Sequence, residues 1–314
     1  MAERVGYFWE ESLSQRKVSY ACPEKPERCE ALHPQTVLGL AGGDVEQFGF
    51  TARDSSILEA VHELNYIDKV RNASANNLRY LDAGETMVTP DLFPQALHSA
   101  SAGVEAMERI LRGSLKRAFC AIRPPGHHAN RMRAMGFCVF NNLAIAATHA
   151  RNHHGINRIL IVDWDVHPGN GTQEVFWDDP QVFTLSIHQD NLMAESGLRE
   201  LTGRGAGKGF NRNEPVPAGV APEKYLAIFQ GAVREVAQSF RPELLLIAAG
   251  FDAHQSDPSS NMKLQAEHFG MLTESVLDAT RAHTGGKTLS LLEGGYNLNA
   301  LQNSVAAHLR ALAA

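Results

Sequence analysis

The sequence predicts an α/β fold, with a central, mostly parallel β-sheet flanked by helices. Three observations carry that expectation. Short apolar runs alternate along the chain with longer helical stretches. The runs are continuously apolar, as befits strands covered on both faces. Each run is followed by polar residues, at the carboxyl ends of strands, where open parallel sheets bind ligands.

The expected strands are 118–122 (AFCAI), 158–164 (RILIVDW), 182–188 (VFTLSIH), 244–250 (LLLIAAG) and 288–295 (TLSLLEGG). The expected helices are 90–113, 140–155, 221–240 and 265–283. Residues 1–60 are less regular and are expected to supply loops and helices at the rim of a site. With no repeat and no linker rich in Pro, Gly or Ser, residues 1–314 read as a single domain.

Composition narrows the function. A formal net charge of −6 argues against nucleic acid as an obligate partner, since phosphate binding leaves a basic footprint. It leaves room for a basic substrate such as a lysine side chain or a polyamine. The four cysteines form no C-x-x-C pair, so free thiols in a reducing, cytoplasmic setting are expected. The N-terminal residues carry charges where an export signal needs an apolar run. No apolar run reaches about 18 residues, so no membrane partner is expected; a homo-oligomer is compatible with the sequence.

The chemistry sits in the segments that follow the strands: RPPGHHA, DVHPGNG, HQDN, FDAH and GGYN. Asp163, Asp165 and His167, spaced two apart on an extended backbone, would point to one side, with Trp164 and Val166 on the other. Asp and His in that pattern suit a divalent metal, and the ordinary alternative is a solvated strand end. Asp252, after another apolar run, could complete a site of two Asp and one His, leaving a position open for water or substrate. His254 is a rival ligand, with a loop histidine as its ordinary reading. His127 and His128 follow the stiff PPG turn and suit proton transfer. Tyr296, after two glycines, could donate to an oxyanion or simply pack in a turn.

Taken together, RPPGHHA, GFCVFNN, DWDVHPGNGTQ, TLSIHQ, AGFDAH…DP and LLEGGYNL resemble the histone deacetylase superfamily. The likeness is strongest to its class II branch, with bacterial deacetylase-like amidohydrolases and acetylpolyamine amidohydrolases. It runs in order from about residue 60 to the C-terminus and implies an arginase/deacetylase-like domain. The implied activity is zinc-dependent hydrolysis of an acyl amide, with an acylated amine (acyl-lysine or a small molecule) as substrate. The resemblance assigns Asp165, His167 and Asp252 to zinc. It makes His128 the proton carrier, His127 an electrostatic partner and Tyr296 the oxyanion donor. Asp163 becomes a partner of His127 and, with Asp165, His167, Ser186 and Ile187, part of a potassium site. Asn170 orients His128. The substrate tunnel is implied to use Gly136, Phe137 and Gly295.

Several positions depart from the family pattern. Cys22 replaces a histidine in CPEKPER. Met193 (or Leu192) stands where relatives carry a tunnel aromatic, which would soften the acyl pocket. Ser259 stands where polyamine-specialised relatives carry a glutamate, which weighs against an acetylpolyamine deacetylase. Pro168 follows the ligand His167 and adds no required side chain. A ureohydrolase would need a D-x-D pair where this chain has FDAH. A non-catalytic acyl-binding module would be expected to have lost a ligand, the histidine pair or Tyr296, and all are present.

Overall fold

Continuous apolar runs need cover on both faces, and the five expected strands occupy the covered middle of one sheet. The computed structural model describes residues 4–19, 21–76 and 78–314. Among them eight strands pair: β1 (Val5–Phe8), β2 (Val45–Phe48), β3 (Arg117–Cys120), β4 (Ile159–Asp163), β5 (Val182–Gln189), β6 (Asn211–Val216), β7 (Leu244–Ala249) and β8 (Thr288–Leu292). Their order is β2-β1-β3-β8-β7-β4-β5-β6, and every pairing is parallel. The five foreseen strands are thus the contiguous block β3-β8-β7-β4-β5.

The three strands outside that block were not expected, and residues 1–60 do more than form a rim. Four residues in β1 are too few to show a period. In β2 the middle residues Glu46 and Gln47 are exposed, as an edge allows. At the other edge β6 reads NRNEPV, and Pro215 is tolerated where one side of the strand has no partner.

Helices cover both faces. α3 (Leu64–Ala75), α4 (Leu92–Leu111) and α5 (Asn142–His154) share one core with Ile159 and Ile161 of β4. α2 (Pro34–Ala41), α7 (Pro222–Phe240), α8 (Ala266–Thr284) and α9 (Leu298–Ala313) share the other with Leu160 and Val162. Alternate residues of one strand therefore enter opposite cores. Local signals fix the helix ends that matter for the site. The Asn141 side chain accepts the Ala144 N–H to start α5, and Asn297 accepts the Ala300 N–H to start α9.

The N-terminal segment is tied beneath the strand ends by charge. Glu24, 1% exposed, takes Arg16 Nη2 and Arg123 Nε, each at 2.6 Å, with Arg28 Nη1 at 3.8 Å. Arg28, on α1 (Glu27–Ala31), also donates through Nε to the Gly295 carbonyl at 2.7 Å. One carboxylate and several backbone carbonyls thus hold three buried guanidinium groups that join the N-terminal segment, the end of β3 and the segment after β8. Removing one partner of such a cluster leaves buried charge uncompensated, at about 3–5 kcal/mol. Glu24→Gln is therefore expected to lower unfolding free energy by about that amount in urea titrations; a loss too small to resolve would show the cluster to be dispensable.

Candidate active site

The segment after β4 does not stay extended. The strand ends at Asp163, and residues 164–167 bend. Asp163 Oδ1 accepts the Asp165 N–H at 3.0 Å, and Asp165 Oδ1 accepts the His167 N–H at 2.9 Å. Each aspartate fixes the backbone two residues on, as Asp does in turns. The expected extended geometry over 163–167 is corrected accordingly. The bend separates Asp163 from the cluster that Asp165 and His167 enter.

That cluster is completed by Asp252, just beyond β7. His167 Nδ1 lies 3.1 Å from Asp165 Oδ1 and 3.2 Å from Asp252 Oδ2. The ligand-type atoms of the three residues all lie within 4.8 Å of one another. Asp165 and Asp252 are fully buried, while the His167 side chain is 24% exposed and opens the cluster to solvent. Asp252 Oδ1 accepts the Val166 N–H at 2.9 Å, but Oδ2 is buried with no hydrogen bond. A buried carboxylate oxygen with only an imidazole opposite is a demand for a cation.

Titration expresses the same demand. Burial opposes charge on His167, but Asp165 and Asp252 outweigh it and carry its pKa up to about 11. Burial and then the Asp165 charge push Asp252 up to about 7. Two buried carboxylates converging on one imidazole are a charge arrangement that a dication fits. The donor set, two carboxylates and one imidazole with one side open, suits catalytic zinc. Glycine makes the room. A Cβ on Gly294 would fall 2.2 Å from Asp252 Oδ2, and one on Gly250 would fall 2.2 Å from Asp165 Oδ2.

The two histidines after β3 have opposite environments. His127 Nδ1 meets Asp163 Oδ2 at 2.9 Å, and although burial opposes its charge, Asp165 and Asp163 raise its pKa to about 10. His128 is held well below the ordinary value, first by burial and then by the charges of His127 and His167. Its Nδ1 lies 2.7 Å from Oδ1 of Asn170, the first residue of α6 (Asn170–Val175), while Asn170 Nδ2 faces Met135 Sδ. With Oδ1 as acceptor, Nδ1 of the neutral ring carries the proton and Nε2 is left as a base.

Tyr296 lies against the site from the segment after β8. Its ring is 6.0 Å from that of Phe137 in edge contact, and Arg28 lies over it at 5.0 Å. Burial raises its hydroxyl pKa well above the usual value, so it stays protonated and can donate. Asp257 Oδ2 accepts the Tyr296 N–H at 2.6 Å and the Asn297 N–H at 3.0 Å. Glu293, fully buried, accepts the N–H groups of Gly126 (2.7 Å) and His127 (3.1 Å). Burial raises its pKa to about 7 despite the His127 charge. Sequence reasoning passed over Asp257, Glu293 and Arg28.

The remaining expected residues fall as follows. Met135 and Cys138 exchange backbone hydrogen bonds (3.2 and 2.9 Å) around Gly136 and Phe137, both at positive φ (54° and 67°). This tight turn sets Gly136 against the His128 ring, where a Cβ would lie 2.5 Å from Cδ2. Gly295, at φ 119°, carries the carbonyl that Arg28 holds. Ser186 stands beside Asp163 in the β4–β5 register, its hydroxyl 2.8 Å from His188 Nδ1, and Ile187 follows it in β5. Leu192 packs toward the core shared by α7–α9, while Met193 is half-buried in the following loop. His254 is not among the converging ligand atoms; its Nδ1 accepts the Ser256 N–H at 3.1 Å.

The family model described as Histone deacetylase domain matches residues 22–312. The chain belongs to the histone deacetylase family. This histone deacetylase-family protein is 38% identical to "Histone deacetylase 14, chloroplastic" of Arabidopsis thaliana, over 80% of this chain and 62% of that protein. It is 37% identical to "Polyamine deacetylase HDAC10" of Homo sapiens, over 90% of this chain and 43% of that one. It is 35% identical to "Histone deacetylase-like amidohydrolase" of Pseudomonas aeruginosa, over 78% and 64%. The match therefore spans less than two thirds of each of these relatives. Among solved structures, the HDA15 HD domain superposes with a TM-score of 0.92 at 32% identity, covering 99% of this chain and 90% of that one. The deacetylase fold expected from the motifs is thereby established. No helix among the described residues is long and apolar enough to cross a membrane.

Gly294→Ala tests the packing around the carboxylates. Its methyl would displace Asp252 and Asp165, so divalent-metal affinity measured by calorimetric titration is expected to fall at least tenfold, about 1.4 kcal/mol. Unchanged affinity would mean that these carboxylates do not form the metal site.

Proposed function

We propose that the protein is a zinc-dependent deacylase of N-acyl amines, removing an acetyl group from acyl-lysine or a small acylated amine. The observation that carries the proposal is an asymmetric histidine pair beside a three-ligand cluster. His127 is held charged and His128 neutral; both are buried, with His127 Nε2 3.8 Å from Asp165 Oδ1 and the His128 ring 5.9 Å from that of His167. Neighbouring titratable groups with pKa values pushed apart divide acid–base roles between them. Residues 1–314 act in this reading as one catalytic domain.

Asp165, His167 and Asp252 would hold the zinc. Bound there, zinc supplies a Lewis acid that polarises the acyl carbonyl and lowers the pKa of water. His128 Nε2 takes the proton from the attacking water and returns it to the leaving amine. His127 stays protonated on Asp163 and contributes positive charge beside the reacting centre. The Tyr296 hydroxyl donates to the carbonyl oxygen as it gains negative charge. The Gly136 carbonyl receives the substrate N–H, with Phe137 on one wall of the tunnel and Met193 at the position otherwise aromatic. Asp163 and Ser186, adjacent across β4 and β5, would bound the potassium position with the backbone of Asp165, His167 and Ile187.

The polyamine reading draws on one similar relative by name, while Ser259 supplies no carboxylate at the position expected to read a second ammonium. The acyl-lysine reading is therefore preferred. Turnover of a fluorogenic acetyl-lysine amide is expected in zinc-loaded protein and lost with chelator. Absence of turnover across acyl-lysine and acyl-polyamine panels would rule out the deacylase.

Two variants separate the roles. Tyr296→Phe is expected to keep zinc and lose about 10²–10³ in kcat, as removal of an oxyanion donor does; near-full activity would remove the tyrosine from the chemistry. Asn170→Asp places an anion on His128 Nδ1 and raises the imidazole pKa. The base form is then lost at higher pH, so the acid limb of the kcat/KM profile should move up by about one unit or more. A limb that stays in place would show that another group is the base.

A further inference from the structure

A second group of metal-type donors lies away from the catalytic cluster, where α4 packs against α5. Glu108, on the last turns of α4, is 8% exposed, and its Oε1 faces two imidazoles of α5. His149 Nε2 lies 2.6 Å from that oxygen and His154 Nε2 lies 3.1 Å from it. The other oxygen, Oε2, is 2.7 Å from Arg112 Nη2, which steadies the carboxylate. The two histidine side chains are 13% and 21% exposed, so the group is sheltered but open to water. A third imidazole, His153, has its ring centroid 4.4 Å from that of His149.

The arrangement belongs to the ends of the helices remote from the catalytic residues. α5 begins at Asn142, beside the segment that carries His127 and His128. His149 lies about 10 Å of helical rise further along. The chain then enters β4 at Ile159, the end opposite Asp163.

We propose that Glu108, His149 and His154 form a second zinc site that clamps α4 to α5. The three ligand-type atoms lie within 4.8 Å of one another. Tetrahedral zinc with bonds of about 2.0–2.1 Å sets its ligands about 3.3 Å apart, so the two spacings to Glu108 Oε1, 2.6 and 3.1 Å, need to open by less than an ångström. Two imidazole nitrogens and one carboxylate oxygen are a recognised zinc donor set, with the exposed side left for water or His153. Both imidazoles donate Nε2–H to one carboxylate oxygen, so zinc would take the place of those two protons, with each ring moving its remaining proton to Nδ1. Binding to the folded state alone would stabilise the chain by linkage.

Zinc per chain after dialysis against micromolar zinc, read by atomic emission, tests the site without relying on catalysis. His167→Ala with Asp252→Ala dismantles the catalytic cluster, and this protein is expected to keep one zinc per chain. Adding His149→Gln and His154→Gln is expected to remove it, together with the rise in thermal midpoint that zinc produces. Loss of all zinc in the first protein, or zinc retained with both glutamines present, overturns the site. Should circular dichroism show that the fourfold variant does not fold, Glu108→Gln in the otherwise unaltered protein decides. Its zinc content should drop by one ion per chain, and an unchanged content overturns the site equally.

Discussion

Asp163, Asp165, Asp252 and Glu293 are each 5% exposed or less and gather at the ends of three adjacent strands, β4, β7 and β8. Carboxylates taken out of water at this density repel one another and cost several kcal/mol each unless compensated. The rest of the site can be read as that compensation. Backbone N–H groups of Asp165, Val166, Gly126, His127 and Gly294 point at their oxygens. His127 and His167 carry positive charge. One buried oxygen each of Asp252 and Glu293 remains without a hydrogen bond, and that of Asp252 lies beside His167, which opens toward solvent. A dication there would complete the balance and supply the chemistry that the proposed amide hydrolysis needs.

The same constraint explains features that otherwise look unrelated. Gly250 and Gly294 are set by the space the carboxylates take, since any side chain would collide with them. The segment carrying Tyr296 has to reach this crowded point and stay there. It is held from below by Arg28 on Gly295, and from the side by Asp257 on the amides of Tyr296 and Asn297. Arg28 in turn is paired with Glu24, which also holds Arg16 and Arg123. A chain of charge therefore runs from the N-terminal segment to the hydroxyl proposed to stabilise the oxyanion. The opposed charge states of His127 and His128 follow from the same field: the carboxylates lie beside His127, and the resulting positive charge lies beside His128.

What was legible in the sequence follows from burial. β3, β4, β5, β7 and β8 are covered on both faces, so they read as unbroken apolar runs, and the polar residues that follow them mark one end of the sheet. β2 and β6 were hidden because edges accept Glu46, Gln47 and Pro215. β1, with both faces covered, was hidden by its length. The bend after Asp163 could not be read from spacing, because it arises from side chain to backbone bonds two residues ahead. Glu293 and Asp257 were missed for a related reason. Their partners are backbone amides of distant segments, which leave no pattern along the chain.

The central claim is that the buried carboxylates exist to hold one dication on Asp165, His167 and Asp252, with Asp163 kept apart on His127. Anomalous diffraction at the zinc edge, on crystals of the active zinc-loaded protein, tests this most directly. The account predicts a peak between His167 Nδ1 and the Asp165 and Asp252 carboxylates, with Asp163 still bonded to His127. A peak coordinated by Asp163, or none in that pocket, would contradict it.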